Sequence, residues 1–281
     1  NIAKKQTRII GFDVARALAI LGMVIVNFNI VMNPETGSDF LKTVASLFEG
    51  RAVALFIVLA GVGMSLLMRK AIANNDTALI KQKRWQLLKR ALFLFIFGLL
   101  YTPIWSADIL HFYGLYLLLG TALILASDRT LWLTAGATVV IFIILVFIFD
   151  YETGWNFDTF DYTDFWTPVG MIRHLFFNGF HPFFPWVSFL LIGMWLGRQD
   201  LSNHIYRRSL LFISGIIAII TEVISLFLMT VFQDAGELAL FFDTSPLPPM
   251  PLYIVAGAST AIVIIIICLI LTEKFTYKMW F

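Results

Sequence analysis

The stretch Gly11 to Met32, GFDVARALAILGMVIVNFNIVM, is long enough to cross a bilayer, yet it carries Asp13, Arg16, Asn27 and Asn29. An ionisable side chain in hydrocarbon costs at least about 2.5–3.5 kcal/mol on insertion scales, so such residues normally face a protein interior or a wet cavity. Asp13 and Arg16 stand three apart on one helical face, and Asn27 lies eleven beyond Arg16. Eleven steps of about 100° make three turns plus roughly 20°, so a single polar stripe runs about 16 Å along the helix. This stripe is expected to face a cavity within a bundle and to mark a functional path.

Such a helix needs companions, and the composition supplies them. Hydrophobic residues make up 59% of the 281, well above the share of about 45–50% in soluble domains. Apolar runs of membrane-crossing length lie near 11–32, 44–68, 90–105, 109–126, 131–149, 183–197, 210–232 and 251–271. The fold class is therefore all-α: a polytopic membrane helix bundle of eight transmembrane helices, forming a single domain over 1–281. Placing the N-terminus in the cytoplasm puts 16 of the 20 Lys and Arg on the inside, with Lys42 and Arg173 outside and Arg16 and Arg51 embedded. The positive-inside rule then expects both ends to be cytoplasmic, in a multi-pass protein of the cell membrane. The first apolar run is too long for a cleaved signal peptide. The one cysteine, Cys268, allows no internal disulfide and no Cys/His metal cluster, so no metal is expected.

No phosphate-binding loop, dinucleotide fingerprint or nucleophile elbow occurs in the chain, which leaves the embedded polar residues to carry chemistry. The outward half holds Asn27, Asn29, Glu49, Arg51, Asp108, His111 and His181; Glu222 falls near mid-membrane, and Asp13 and Arg16 lie in the inward half. In SADILHFYG the three-residue spacing of Asp108 and His111 can set a carboxylate beside an imidazole. Such a carboxylate orients the ring and raises its basicity, as proton abstraction requires; the plainer role is satisfying helix-end donors. Glu49 and Arg51 are two apart and point about 200° away from each other on a regular helix, so each should find a partner elsewhere, with Glu222 or Asp108 available to the arginine. His174 lies within, and His181 directly follows, an amphipathic stretch, MIRHLFFNGF, expected to lie in the headgroup plane with solvated or capping histidines.

The segment 150–182 reads as an external aromatic and acidic lid, and 233–251, with SPLPPMP, as a structured cap. His204 falls in a cytoplasmic loop with no assigned role. Gly61, Gly63, Gly193 and Gly197 should permit close helix packing. Inside, 71–90 combines a flexible NND turn with KQKRWQLLKR; anchoring to anionic lipid is its plain role, and gripping a phosphorylated cofactor its sharper one.

RIIGFDVARALAILGMVIVNF resembles the opening of the heparan-α-glucosaminide N-acetyltransferase catalytic-domain family and its bacterial YeiB-like relatives. The landmarks FEGRAVALFIVLAGVGMSL, WSADILHFYG and HPFFPWVSFLLIGMWLGR are similar to theirs in the same order. The resemblance implies a fold of about ten or eleven helices, of which this chain would lack the last few. It also implies acetyl-CoA taken from the cytoplasmic side to acylate a sugar on the other. Distantly similar membrane acyltransferases carry an Arg, ten residues, then a His on this helix. Arg16 matches the Arg, and Asn27 stands at the His position, as in the acetyltransferase branch. That branch places its active histidine in the following outer segment, whereas MNPETGSDFLK here has none.

The reading is thus an integral membrane acyltransferase-like protein that moves an acyl group from cytoplasmic acyl-CoA to an extracytoplasmic glycan or lipid acceptor. Asp13, Arg16 and Asn27 would hold the acyl-CoA, in the simplest case acetyl-CoA. His111 with Asp108 would be catalytic, and Glu49, Arg51, His181 and Glu222 would contact substrate. The expected partners are the lipid bilayer and the acceptor, with no nucleic acid; self-association stays open. Two other classes fit the same stripe: a transporter or flippase for a small anionic or amphipathic solute, and a non-catalytic membrane scaffold.

Overall fold

The computed structural model of the chain describes residues 9–32, 45–46, 48–156, 159, 161–234 and 236–278. Its helices are α1 (Ile10–Met32), α2 (Arg51–Ala73), α3 (Thr77–Tyr101), α4 (Leu110–Ala122), α5 (Asp128–Ile148), the short α6 (Pro168–Arg173), α7 (Phe183–Leu196), α8 (His204–Val231) and α9 (Pro251–Lys278). The described residues add a 3-10 helix (Gly236–Phe242) and, as β structure, only a short hairpin, β1 (Trp155–Asn156) with β2 (Asp161–Tyr162), and one bridge between Pro246 and Pro249, so the all-α class holds. Five helices, α1, α2, α5, α8 and α9, are individually long and apolar enough to span a bilayer. A sixth span is possible if α6, its π-helical continuation His174–Asn178 and α7 count as one element bent by 47°. The expected count of eight is not reached by this test, because α3 is too basic in its first half and α4 too short.

Helix ends follow local chemistry. Asp76, Ser127 and Asn203 cap α3, α5 and α8, each side-chain oxygen accepting from first-turn backbone N–H groups. The Asp76 cap starts α3 at Thr77, so the NND turn ends there and the basic stretch KQKRWQLLKR is the first half of a helix. Gly50, with φ of 65°, breaks the chain before α2 and leaves Glu49 in the preceding turn.

Close approach of backbones organises the bundle. A Cβ on Gly61 would meet the Leu190 carbonyl oxygen at 2.1 Å, and one on Gly193 the Val58 oxygen at 2.1 Å, so α2 and α7 cross almost in contact. Gly63, expected to share this role, faces open space instead. The core lies around this crossing, where Trp186, Phe189, Tyr253, Phe112 and Tyr116 are fully buried. Residues 124–126, at the end of α4, meet 197–198 at one end of the bundle, where Arg198 donates to Asp128 and to the Ala126 and Ile124 carbonyls. Arg207 on α8 pairs there with Glu273 on α9, so the loops rich in Lys and Arg gather at a single end. We call this the basic end and its opposite the outer end.

Candidate functional site

The α1 stripe takes a direction set by smaller neighbours. Ala15 and Ala19 are buried, and a Cβ on Gly11 or Gly22 would meet Leu269 or Ala52 at 2.8 Å. These four residues form one face against α2 and α9, and the Asp13, Arg16 and Asn27 stripe stands roughly 125° around the helix from it. The stripe therefore lies on the outer surface of the described bundle rather than in a cavity inside it: the Arg16 side chain is 44% exposed, Asp13 28%, and Asn27 is exposed. Arg16 donates to Asp13 at 2.9 Å. MNPETGSDFLK, the segment without the family histidine, lies outside the described residues beyond Met32.

At the outer end α4 carries a second polar group. Asp108 Oδ2 accepts from the Leu110 backbone N–H at 2.9 Å and stands 3.1 Å from His111 Nδ1. The pair forms as its spacing predicts, and α3 fixes its place, because a Cβ on Gly98 would meet the His111 nitrogen at 2.2 Å. His111 is fully buried, and the imidazole that reaches the outer pocket is that of its neighbour His174. His174 stacks on it with ring centres 5.7 Å apart and 25° between planes. Phe112 bridges to His181, 6.1 Å from it, and His181 in turn meets Trp186 at 4.8 Å. Three of the four histidines therefore gather in one buried cluster.

His174 is the residue that the sequence reading misplaced. Expected to be solvated or capping in a headgroup-plane helix, it is buried, as are Leu175, Phe177 and Asn178. The π-helical turn rotates it inward, and Gly179 lets it seat: a Cβ there would meet its carbonyl at 2.4 Å. A signal existed in the aromatic density of 151–166, more rings than a solvated lid needs. Those rings pack around His174, with Tyr162 at 4.6 Å, Phe165 at 4.8 Å and Trp155 at 6.0 Å.

The lid is a hydrogen-bonded cap. Asn178 donates to the Tyr151 and Thr153 carbonyls at 2.8 Å, and accepts from Tyr162 through its side chain and from the Trp155 indole through its backbone. Arg173 holds Asp164 through two contacts of 2.7 Å and donates to the Tyr162 oxygen. Burial pushes the Tyr162 hydroxyl above its ordinary value, with Arg173 opposing, so it stays protonated and donates to Asn178.

Beneath the cap opens a pocket of about 350 Å³ whose wall includes Trp105, Trp155, Tyr162, Phe165, Asp161 and His174. Within the cluster behind it, His111 Nε2, His174 Nδ1, His181 Nδ1 and Trp186 Nε1 are buried without a hydrogen-bond partner. A buried polar group left so costs about 1–3 kcal/mol. Four such atoms stand in this one cluster, and each calls for an explanation.

The expected substrate set divides. His181 joins the imidazole cluster. Arg51 instead pairs with Glu222, donates to the Thr244 carbonyl at 2.9 Å and lies 5.7 Å from the centre of the Tyr253 ring. Thr244 donates to the other Glu222 oxygen at 2.9 Å. Glu222, expected near mid-membrane, is thus drawn to the outer-end cap, and Glu49 is exposed in its turn. None of these three lines the outer pocket. Among the described residues, no group of three or more His, Cys, Asp or Glu converges to hold a metal ion.

No curated protein and no solved structure matches the chain. One family does, the one described as heparan-alpha-glucosaminide N-acetyltransferase, catalytic, over residues 8–233, a span containing the α1 stripe, the Asp108–His111 pair and the whole cap. The chain belongs to that family of membrane acetyltransferase-like proteins.

Proposed function

We propose that this protein transfers an acetyl group from acetyl-CoA to an amine or hydroxyl of a glycan that enters the outer pocket, the donor approaching from the basic, cytoplasmic end. The observation that carries this reading is the buried Asp108–His111 pair standing one ring behind the wall of an aromatic pocket, in a chain of this family. Aromatic faces with a carboxylate and hydroxyls at the rim suit a sugar ring, apolar on its C–H faces and polar at its edge.

Chemically, the acceptor N–H or O–H gives its proton to an imidazole as the heteroatom attacks the thioester carbonyl. The new C–N or C–O bond forms, the C–S bond breaks, and CoA leaves as its thiolate. His174 meets the acceptor, and its Nδ1 and the His111 Nε2, both without protein partners, pass the proton inward. Asp108 holds the His111 ring and stabilises its charged form. Asp13 and Arg16 hold the donor, and Asn27 donates to the carbonyl as charge develops on it. His181 completes the cluster beneath the pocket.

The test is purified protein in vesicles, supplied with radiolabelled acetyl-CoA and a panel of amino-sugar and neutral oligosaccharides. Label should appear on a glycan and be lost in His111→Ala. No transfer, together with no detectable binding of acetyl-CoA at millimolar concentration, would overturn the reading in favour of transport or scaffolding.

A further inference from the structure

Helix α3 has 25 residues and α4 has 13, or about 37 and 20 Å. They pack as an antiparallel hairpin pinned by Gly98 against His111 and Gly114 against Ala91. The first turns of α3 consequently run on past the end of α4. A notch of about 510 Å³ opens there, lined by Ile80, Lys81, Arg84, Trp85 and Leu88 of α3 with Leu125 below α4. Those α3 positions recur at steps of one and three residues, so a single helix face builds the wall.

The chemistry of this face is two-sided. α3 carries Lys81, Lys83, Arg84, Lys89 and Arg90 and no acidic residue. Beyond Arg90 its exposed side chains are Leu92, Phe93, Ile96, Phe97, Leu100 and Tyr101. The change from cations to bare hydrocarbon therefore falls at the upper edge of the notch. Trp85, exposed and with Lys89 Nζ 5.3 Å from its ring centre, stands at that border, as tryptophans do at membrane–water interfaces.

We propose that the notch is a binding site for an anionic phospholipid of the leaflet at the basic end. The phosphate and headgroup lie against Lys81 and Arg84, and an acyl chain covers Ile80, Leu88 and Leu125. Leu125 and Trp85 are both exposed, so the site opens sideways to lipid. The apolar floor decides the occupant: a nucleotide would meet the same cations but set polar groups on that floor, whereas a phospholipid satisfies both halves.

Native mass spectrometry of the purified protein, titrated with phosphatidylglycerol or with phosphatidylcholine of the same chains, tests the site. A single phosphatidylglycerol should be retained in preference. Each cation near a lipid surface contributes about fivefold, so Lys81→Gln with Arg84→Gln should cut that preference by roughly 25-fold. Both side chains are exposed, so the variant keeps its fold. Arg208→Gln, at the same end but on α8, should leave the preference intact. An equal loss in Arg208→Gln, no preference in the wild type, or displacement of the lipid one for one by coenzyme A would each overturn the proposal. None of these outcomes depends on whether the protein transfers acetyl groups.

Discussion

Two polar clusters stand at the outer end, and they are finished differently. Around Arg51 every charge is answered: Glu222 and the Thr244 carbonyl accept from the guanidinium, and Thr244 closes the ring by donating to Glu222. Around His111 the ring makes one polar contact, to Asp108, and His111 Nε2, His174 Nδ1, His181 Nδ1 and Trp186 Nε1 are buried without a hydrogen-bond partner. Both clusters contain ionisable side chains beside a cap, so residue type alone does not separate them. Completion does. A closed network ties α2, α8 and the second cap together, whereas an open one keeps hydrogen-bonding capacity for a visitor.

The largest test of that contrast is His111→Ala. Acetyl transfer should fall by about 100-fold or more with acetyl-CoA affinity unchanged, since a positioned general base contributes roughly 10² to 10⁴ in rate. An equal loss in Arg51→Met, assayed on protein that remains folded, would erase the distinction between the clusters. Arg16→Ala comes next. Losing a charge-assisted contact to the donor should weaken acetyl-CoA binding by about 1.5–3 kcal/mol, read by calorimetry, with no change in melting temperature. Glu222→Ala should do the opposite. It leaves a guanidinium only 17% exposed without its carboxylate, and because Glu222 itself is 41% exposed the cost should be about 1–3 kcal/mol, seen as a lower melting temperature in detergent with donor affinity intact. Smallest is Asp108→Asn, which keeps the size of the side chain and should reduce transfer by roughly tenfold, less than removing the imidazole.

Legibility in the sequence tracks how local each feature is. Asp108 and His111 meet because three residues of chain bring them together, and that spacing is written in the sequence. The class of the fold is legible for a similar reason, since apolar runs of membrane-crossing length need no knowledge of their neighbours. His174 was hidden, because its burial depends on a π-helical turn, on Gly179 and on rings donated from residues 155–165. The pairing of Arg51 with Glu222 joins residues 171 apart, and only its possibility was readable. The α1 stripe is instructive in another way. Its polar residues and its Gly11, Ala15, Ala19 and Gly22 face were equally visible, and close backbone packing decided which of the two turned inward.

The shortness of α4 has an electrical consequence. Hydrocarbon is about 30 Å thick, and a helix of 13 residues spans about 20 Å of it, with the Asp108–His111 pair at one tip and the basic notch at the other. The two polar groups are therefore separated by less than the thickness of the hydrocarbon. A 100 mV potential does about 2.3 kcal/mol of work on each elementary charge carried fully across, and the distance between these tips is about two-thirds of that path. Moving a charge from one tip to the other would draw only part of that work from the membrane voltage.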